Sequence, residues 1–194
     1  MADLVLASSS PRRRRLLLEA GFEFTVISPE VDEDFAEGES PRQAVERLAI
    51  AKAMAVGRRC PAGKVVLGAD TAVVRCGRVY GKPAGAADAE RMLLELGGRN
   101  HEVLTGWALV ASGRPDCRRI ASGVACSVVR MREIGRREAA AYVATGEPLD
   151  KAGAYAVQGE GARFVVAILG SRTNVIGLPV EDVVPVLASA GVKR

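Results

Sequence analysis

The chain of 194 residues is 48% hydrophobic and 26% charged, with glycine and proline spread along it, which excludes a disordered or fibrous protein and suits a single globular domain over 1–194. No apolar run approaches the ~20 residues that span a bilayer, and Met1-Ala2-Asp3 leads into Leu4-Val5-Leu6 without a basic leader, so a soluble, unexported protein is expected. The net charge of +4 suits either nucleic acid or a small polyanion.

Leu4 to Ala7 reads as a short buried strand, Ser8-Ser9-Ser10 as a tight turn, and Pro11 as the first residue of a helix capped by Ser10 and ending at Gly21. Phe22 to Ile27 is predicted as a second strand, followed by the acidic loop Glu30-Val31-Asp32-Glu33-Asp34. Ser40-Pro41 then repeats the cap-plus-proline start of a helix running to about Val56. Lys64 to Gly68 and Ala72 to Arg75 read as strands flanking Ala69-Asp70-Thr71. Ala86 to Leu96 is helical by the spacing of Ala89, Met92, Leu93 and Leu96 and stops at Gly97-Gly98. Two long strands, Glu102 to Ala111 and Ile120 to Arg130, precede a helix from about Gly135 to Ala144. A loop-rich stretch, Leu149 to Gly161, leads to a strand Phe164 to Leu169, a turn at Gly170 to Asn174 and a last helix from about Val180. This irregular alternation predicts an α/β fold: a mixed, elongated β-sheet flanked by helices, in two lobes with a central cleft for a ligand.

The chemistry is narrowed by what is scarce. Cys60, Cys76, Cys117 and Cys126 form no C-x-x-C pair and are expected to be reduced and mostly buried. His101 is the only histidine, which removes zinc motifs built on paired imidazoles and leaves oxygen-ligand chemistry open. His101 at a strand start and Trp107 read as core residues, and no aromatic stripe for stacking single-stranded nucleic acid is present.

Arg12, Arg13, Arg14 and Arg15 occupy the start of the first helix, where the macrodipole disfavours each cation by ~0.3 to 1 kcal/mol. An anion bound by the Ser8, Ser9 and Ser10 backbone and the guanidinium forks would offset that cost; a solvated basic face or a nucleic-acid patch is the other reading left open. Asp70, at the end of an apolar strand, is a turn former or a displayed catalytic acid. Asp32-Glu33-Asp34 offers carboxylates that could join it around a divalent ion shared with phosphates. Gly81-Lys82-Pro83 is not a Walker A loop, because proline replaces its serine or threonine. Lys82 and Lys52 are either surface lysines or point charges for phosphate. Gly146-Glu147-Pro148-Leu149-Asp150-Lys151-Ala152-Gly153-Ala154-Tyr155 with Gln158-Gly159 is too long for a mere connection, and Gln158 has the paired donor and acceptor to read a base edge. Ser171, Asn174 and Gly177 lie in a turn before the last helix that is expected to close over the ligand.

In order along nearly the whole chain, these segments resemble the Maf family of nucleoside triphosphate pyrophosphatases. The likeness is carried by Leu6-Ala7-Ser8-Ser9-Ser10-Pro11-Arg12-Arg13, Gly68-Ala69-Asp70-Thr71, Gly81-Lys82-Pro83, His101-Glu102-Val103-Leu104-Thr105-Gly106 and the Leu149 to Gly159 run. The resemblance implies a Maf/ITPase-like fold in a cytoplasmic, dimeric housekeeping enzyme of nucleotide metabolism. It also implies hydrolysis between the α and β phosphates, giving a nucleoside monophosphate and diphosphate with Mg2+ or Mn2+. At the positions associated with base choice, Arg12, Thr71 and Gln158 are similar to the branch acting on dTTP and UTP, whereas the branch acting on 7-methyl-GTP typically has Trp in place of that arginine. The pattern departs at Val128-Val129-Arg130, where a phenylalanine is common, and at Arg172, where an aromatic often stands.

On this reading Ser8, Ser9, Ser10, Arg12 and Arg13 are expected to hold phosphate oxygens, while Lys52 and Lys82 neutralise charge on the departing diphosphate. Asp70 is expected to orient or deprotonate water together with Mg2+, which acidifies water, with Glu33 as second metal or water ligand. Asp150, Lys151, Ser171 and Asn174 are expected at the substrate, and no membrane is involved. Two alternatives remain: hydrolysis of modified purine triphosphates, and a nonenzymatic nucleic-acid-binding or cell-division regulator that clamps a phosphate backbone with the arginine run, with nucleic acid the less favoured partner.

Overall fold

The computed structural model describes residues 3–113 and 117–194; Met1 and Ala2, noted above for carrying no basic charge, lie outside the described residues. The chain divides into two compact units. The first comprises Met1–Asp70, Thr105–Ala125 and Gly177–Arg194, and the second Thr71–Leu104 and Cys126–Ile176.

Among the described residues, seven strands form one mixed sheet: β1 (Asp3–Ala7), β2 (Phe24–Val26), β3 (Lys64–Arg75), β4 (Arg78–Tyr80), β5 (Asn100–Ala111), β6 (Arg118–Met131) and β7 (Val165–Leu169). Their order is β2-β1-β3-β5-β6-β7, with β4 paired to β3 off this path. β1 runs parallel to both β2 and β3, whereas β4 on β3 and β7 on β6 are antiparallel. The helices are α1 (Pro11–Glu19), α2 (Pro41–Gly57), α3 (Ala86–Leu96), α4 (Arg136–Val143), α5 (Arg172–Ile176) and α6 (Val180–Ser189). Among the described residues, no helix is long and apolar enough to cross a membrane.

In the first unit, the two serine-proline starts behave as their chemistry demands. Ser10 accepts the backbone N–H of Arg13, and Ser40 forms a full capping box with Gln43, while Pro11 and Pro41 sit where a missing N–H costs nothing. α2 buries Ala44, Val45, Leu48, Ala49, Ala53 and Val56, and its small residues allow a very close approach to the sheet. A Cβ on Gly68 of β3 would lie 2.3 Å from the Ala49 carbonyl oxygen, and one on Gly106 of β5 only 2.2 Å from that of Val45. Glycine therefore stands at both of these points where α2 backbone meets strand backbone. Val5, Ala7, Val66, Ala108, Val110 and Cys60 complete this core.

The sequence expectation of two strands interrupted at Ala69-Asp70-Thr71 is corrected: β3 is continuous over twelve residues, and Asp70 lies in its interior rather than at a strand end or in a turn. Both faces of β3 are covered, so its apolar run shows no alternation to mark it as one strand. The hairpin to β4 was not anticipated. Cys76 (φ 49°) and Gly77 (φ 77°) form a two-residue turn with both φ positive, the type I′ geometry that matches strand twist. Cys76 is thus exposed, as is Cys126, so the cysteines are not mostly buried; none is in a disulfide.

In the second unit, α3 packs on α4 and on the 3-10 turn Ala152–Ala154, and Tyr142 and Phe164 meet edge to face at 5.3 Å. His101 is 2% exposed, and its Nε2 lies 2.8 Å from the Tyr155 hydroxyl. Burial, aided by the Arg75 charge, pushes its pKa down to about 4. Between pH 6.5 and 4 the unfolded chain therefore takes up a proton that the folded chain refuses, so stability is full above this window and falls as pH drops through it, by roughly 3 kcal/mol at the lower end. Because His101 is the only histidine, one imidazole resonance reports on it. Its chemical shift should stay flat from pH 7.5 to 5.5 while the urea midpoint falls, and a midpoint of titration near 6.5 would contradict the burial.

Candidate active site

β1 and β3 pair in parallel with Ala7 opposite Gly68. The chain leaves β1 towards β2 on one side and returns to β3 on the other, so the carboxyl end of β1, beside Gly68 within the longer β3, is a topological switch point, where open α/β sheets take ligands. Ser8 follows β1 at that point, and Asp70 lies two residues beyond Gly68. Ser8 is buried, and its Oγ accepts the Ser10 backbone N–H at 3.2 Å and Arg13 Nη1 at 3.2 Å. Arg13 Nε donates to the Gly177 carbonyl at 2.8 Å, which fixes the guanidinium at the start of α1.

The run of four arginines is therefore divided. Arg13 is half-buried and turned inward, Arg12 is half-buried, and Arg14 and Arg15 are exposed, the last paired with Glu19 at 2.7 Å. Burial lowers the pKa of Arg13 and the neighbouring Arg12 charge adds to this, against the opposing pull of Asp70 and Glu33. A guanidinium stays charged throughout, so the shift marks a poorly solvated cation that gains from an anion placed beside it.

Lys52 is the centre of the arrangement. It is 4% exposed, which removes the surface-lysine reading, and its Nζ sits 2.6 Å from Asp70 Oδ1 and 2.8 Å from Glu33 Oε1. The position follows from α2: Lys52 lies between Ala49 and Ala53, the residues pressed against Gly68, so its side chain extends along β3 to Asp70. Glu33 arrives from the loop before α2 with its side chain 58% exposed. One buried cation between two carboxylates leaves this trio with an excess negative charge, and it is open on the Glu33 side. Within the first unit, Ser8, Ser10, Arg13, Glu33, Lys52 and Asp70 are thus brought together, whereas Ser9 is exposed in the loop.

A divalent ion fits this donor set in one manner only. Asp70 and Glu33 converge on a single cationic position and offer hard oxygen atoms, as Mg2+ prefers. Among the described residues no group of three or more His, Cys, Asp or Glu side chains could hold a metal, and one or two carboxylates plus substrate phosphate oxygens is the ligation compatible with Asp70 and Glu33.

The other expected residues belong to the second unit. Thr71 follows Asp70 in β3 and is half-buried; Lys82 is exposed in the bend after β4. Gly153 N–H donates to the Gly81 carbonyl at 3.1 Å, tying the Lys82 segment to the loop that carries Asp150, Lys151 and Gln158. Lys151 Nζ donates to Asp150 Oδ1 and to the Glu147 carbonyl, and Gln158 is half-buried next to Gly159. The predicted turn at Gly170 to Asn174 is largely a short helix, α5. Ser171 caps it by accepting the Asn174 N–H at 3.0 Å, and buried Asn174 spends its amide N–H groups on the Val103 carbonyl and Ser127 Oγ. Both side chains face the protein's own frame.

Two contributors have no role in the sequence reading: Gly68, although a glycine inside an apolar strand signals close backbone approach, and Glu147. Gly177 is read there as part of the turn over the ligand, but the bond from Arg13 to its carbonyl, 164 positions away, has no local signal.

A family model described as Maf-like protein matches residues 3–190. A dTTP/UTP pyrophosphatase of Symbiobacterium thermophilum is 50% identical over 191 residues, covering 98% of this chain and 95% of that protein. One from Geotalea uraniireducens is 47% identical over 194 residues, covering 98% and 96%. One from Vibrio cholerae is 45% identical over 182 residues, covering 94% and 95%. Among solved structures, a HAM1 protein from Coxiella burnetii shows 21% identity and a TM-score of 0.46, covering 70% of this chain and 74% of that one.

Proposed function

The chain belongs to the Maf-like protein family, and from that premise we propose that it is a nucleoside triphosphate pyrophosphatase that hydrolyses dTTP and UTP to the nucleoside monophosphate and diphosphate. The observation that carries this reading is Lys52 held between Asp70 and Glu33 where β1 ends and its parallel pairing with β3 stops, with Arg13 and Ser8 at the same point.

In this mechanism the Ser8 to Ser10 loop and the Arg12 and Arg13 guanidiniums bind phosphate oxygens through charge-assisted hydrogen bonds. Asp70 accepts a hydrogen bond from the attacking water and takes its proton, aligning the oxygen with phosphorus as the bridging α–β bond breaks. Lys52 fixes the Asp70 carboxylate and, with Lys82, offsets charge on the diphosphate leaving group. Asp70 and Glu33 would hold Mg2+ or Mn2+, which supplies neutralisation of phosphate charge when bound. Arg12, Thr71 and Gln158 choose the base, Asp150 and Lys151 contribute to substrate binding, and Ser171 and Asn174 hold the turn before α6. A cytoplasmic homodimer, the state the family resemblance implies, completes the reading.

The test is a panel of dTTP, UTP, dCTP, GTP and 7-methyl-GTP with Mg2+ or Mn2+ and identification of products. Monophosphate plus diphosphate is expected, with kcat/KM for dTTP and UTP above the others by roughly 100-fold, as buried hydrogen bonds reject unmatched bases. Equal rates across the panel, or release of orthophosphate, would sink this assignment; preference for 7-methyl-GTP would move it to purines. Binding of nucleic acid without turnover would return the arginine run to a backbone clamp.

A further inference from the structure

The loop that carries Gln158 is held by one carboxylate. Glu147 begins the 3-10 turn Glu147–Asp150, and its side chain reaches across the loop. Oε1 accepts the Tyr142 hydroxyl at 2.7 Å and the Gly161 N–H at 3.2 Å, while Oε2 accepts the Glu160 N–H at 3.0 Å. Glu160 and Gly161 open the 3-10 turn Glu160–Phe164, whose N-cap is Gly159 and offers no side-chain acceptor. Glu147 supplies it from another turn, satisfying two N–H groups that the turn leaves unpaired.

Gly159 shows how tight the seat is. Its φ is +100°, and a Cβ there would lie 2.6 Å from Glu147 Oε2, so backbone alone fits over the carboxylate. Gln158 immediately precedes it. At the other end the Glu147 carbonyl accepts Lys151 Nζ. Tyr142 is fully buried, and its hydroxyl accepts the Ala156 N–H at 3.2 Å while donating to Glu147. Burial pushes the Glu147 carboxyl up, but the Tyr142, Glu160 and Gly161 hydrogen bonds outweigh it and leave its pKa lowered, so the group is anionic at neutral pH.

We propose that Glu147, seated by Tyr142, is a positioning residue for base selection: it sets the backbone that presents Gln158, and its loss blurs discrimination among bases. The proposal rests on the role given to Gln158 above.

The test compares kcat/KM for dTTP and dCTP in wild type, Glu147→Ala, Tyr142→Phe, Gly159→Ala, Gln158→Ala and the Glu147→Ala/Gln158→Ala double variant, at a temperature where circular dichroism shows each folded. The dTTP-to-dCTP ratio should fall at least about tenfold in Glu147→Ala through a raised KM for dTTP, since displacements near 1 Å cost up to ~100-fold. The double variant should be no less selective than Gln158→Ala, the mark of two residues acting as one unit. A lower melting temperature with an unchanged ratio, or additive losses in the double variant, overturns the proposal. Should Glu147→Ala not fold, unchanged ratios in both Tyr142→Phe and Gly159→Ala overturn it equally. A wild-type enzyme with no base preference overturns the reading of Gln158 instead, and shows itself before any substitution is made.

Discussion

Replacing Asp70 with asparagine should lower kcat for dTTP by about 1000-fold, within the range that proton transfer by a positioned side chain contributes, while leaving the fold intact. The two side chains have the same shape, and the amide oxygen of the replacement can still accept from Lys52 Nζ, which now lies 2.6 Å from Asp70 Oδ1. What is lost is the charge that takes the proton from water. The buried ammonium keeps Glu33 at 2.8 Å, but that carboxylate is largely exposed and screened. A stability cost of roughly 1 to 3 kcal/mol is therefore expected, that of weakening a buried charged hydrogen bond rather than orphaning a charge. Steady-state kinetics with thermal melts separate the two effects. If kcat stays within tenfold of wild type in a folded variant, Asp70 is not the group that handles the proton.

Gly68→Ala adds one methyl group and no charge, yet a large loss of both stability and activity is expected. The new Cβ would stand 2.3 Å from the Ala49 carbonyl oxygen, 2.8 Å from the Ala53 nitrogen and 3.0 Å from the Ala53 Cβ. All three belong to α2 backbone or its shortest side chain, so no flexible group can swing aside and the helix must shift. Overpacking of this kind costs about 3 kcal/mol, which lowers the melting temperature of a chain this long by about 6 to 12 °C. Lys52 sits between the two displaced residues and moves with them, drawing its ammonium from Asp70. A fall in kcat/KM of roughly 100-fold follows from a displacement near 1 Å. Gly135→Ala is the control: nothing lies within 4 Å of the new methyl group and φ is −76°, so about 1 kcal/mol at most is expected from the poorer helix cap. Wild-type melting and kinetics in Gly68→Ala would mean that α2 and β3 do not meet at this glycine.

The helices were legible because their ends are written in local chemistry. Ser10-Pro11 and Ser40-Pro41 mark α1 and α2, and the Ala89, Met92, Leu93, Leu96 spacing delimits α3 to the residue. β3 reads as two strands because Gly68, Asp70 and Thr71 resemble punctuation, although Gly68 is there to admit a helix and Asp70 to meet Lys52. β4 is three residues long and α5 five, too short for periodicity to register. At the site, Arg13 and Asp70 are marked by charge at a helix start and beside an apolar strand, whereas Lys52 alone reads equally as a surface lysine. Their convergence carries no such mark, since the Asp70–Lys52 and Arg13–Gly177 bonds span 18 and 164 positions and depend on strand order.

The first unit is assembled from stretches far apart in the polypeptide: Gly177–Arg194 completes what Met1–Asp70 begins. Arg13 waits for the Gly177 carbonyl, and Arg194 stacks over Phe22 at 5.7 Å. During synthesis, the segment with the first serines and arginines emerges early from the ribosome but cannot reach its final form until the stretch from Gly177 onward has followed it. The first unit therefore closes after the second has been made, and deleting Gly177–Arg194 removes a wall of the unit that the earlier residues start.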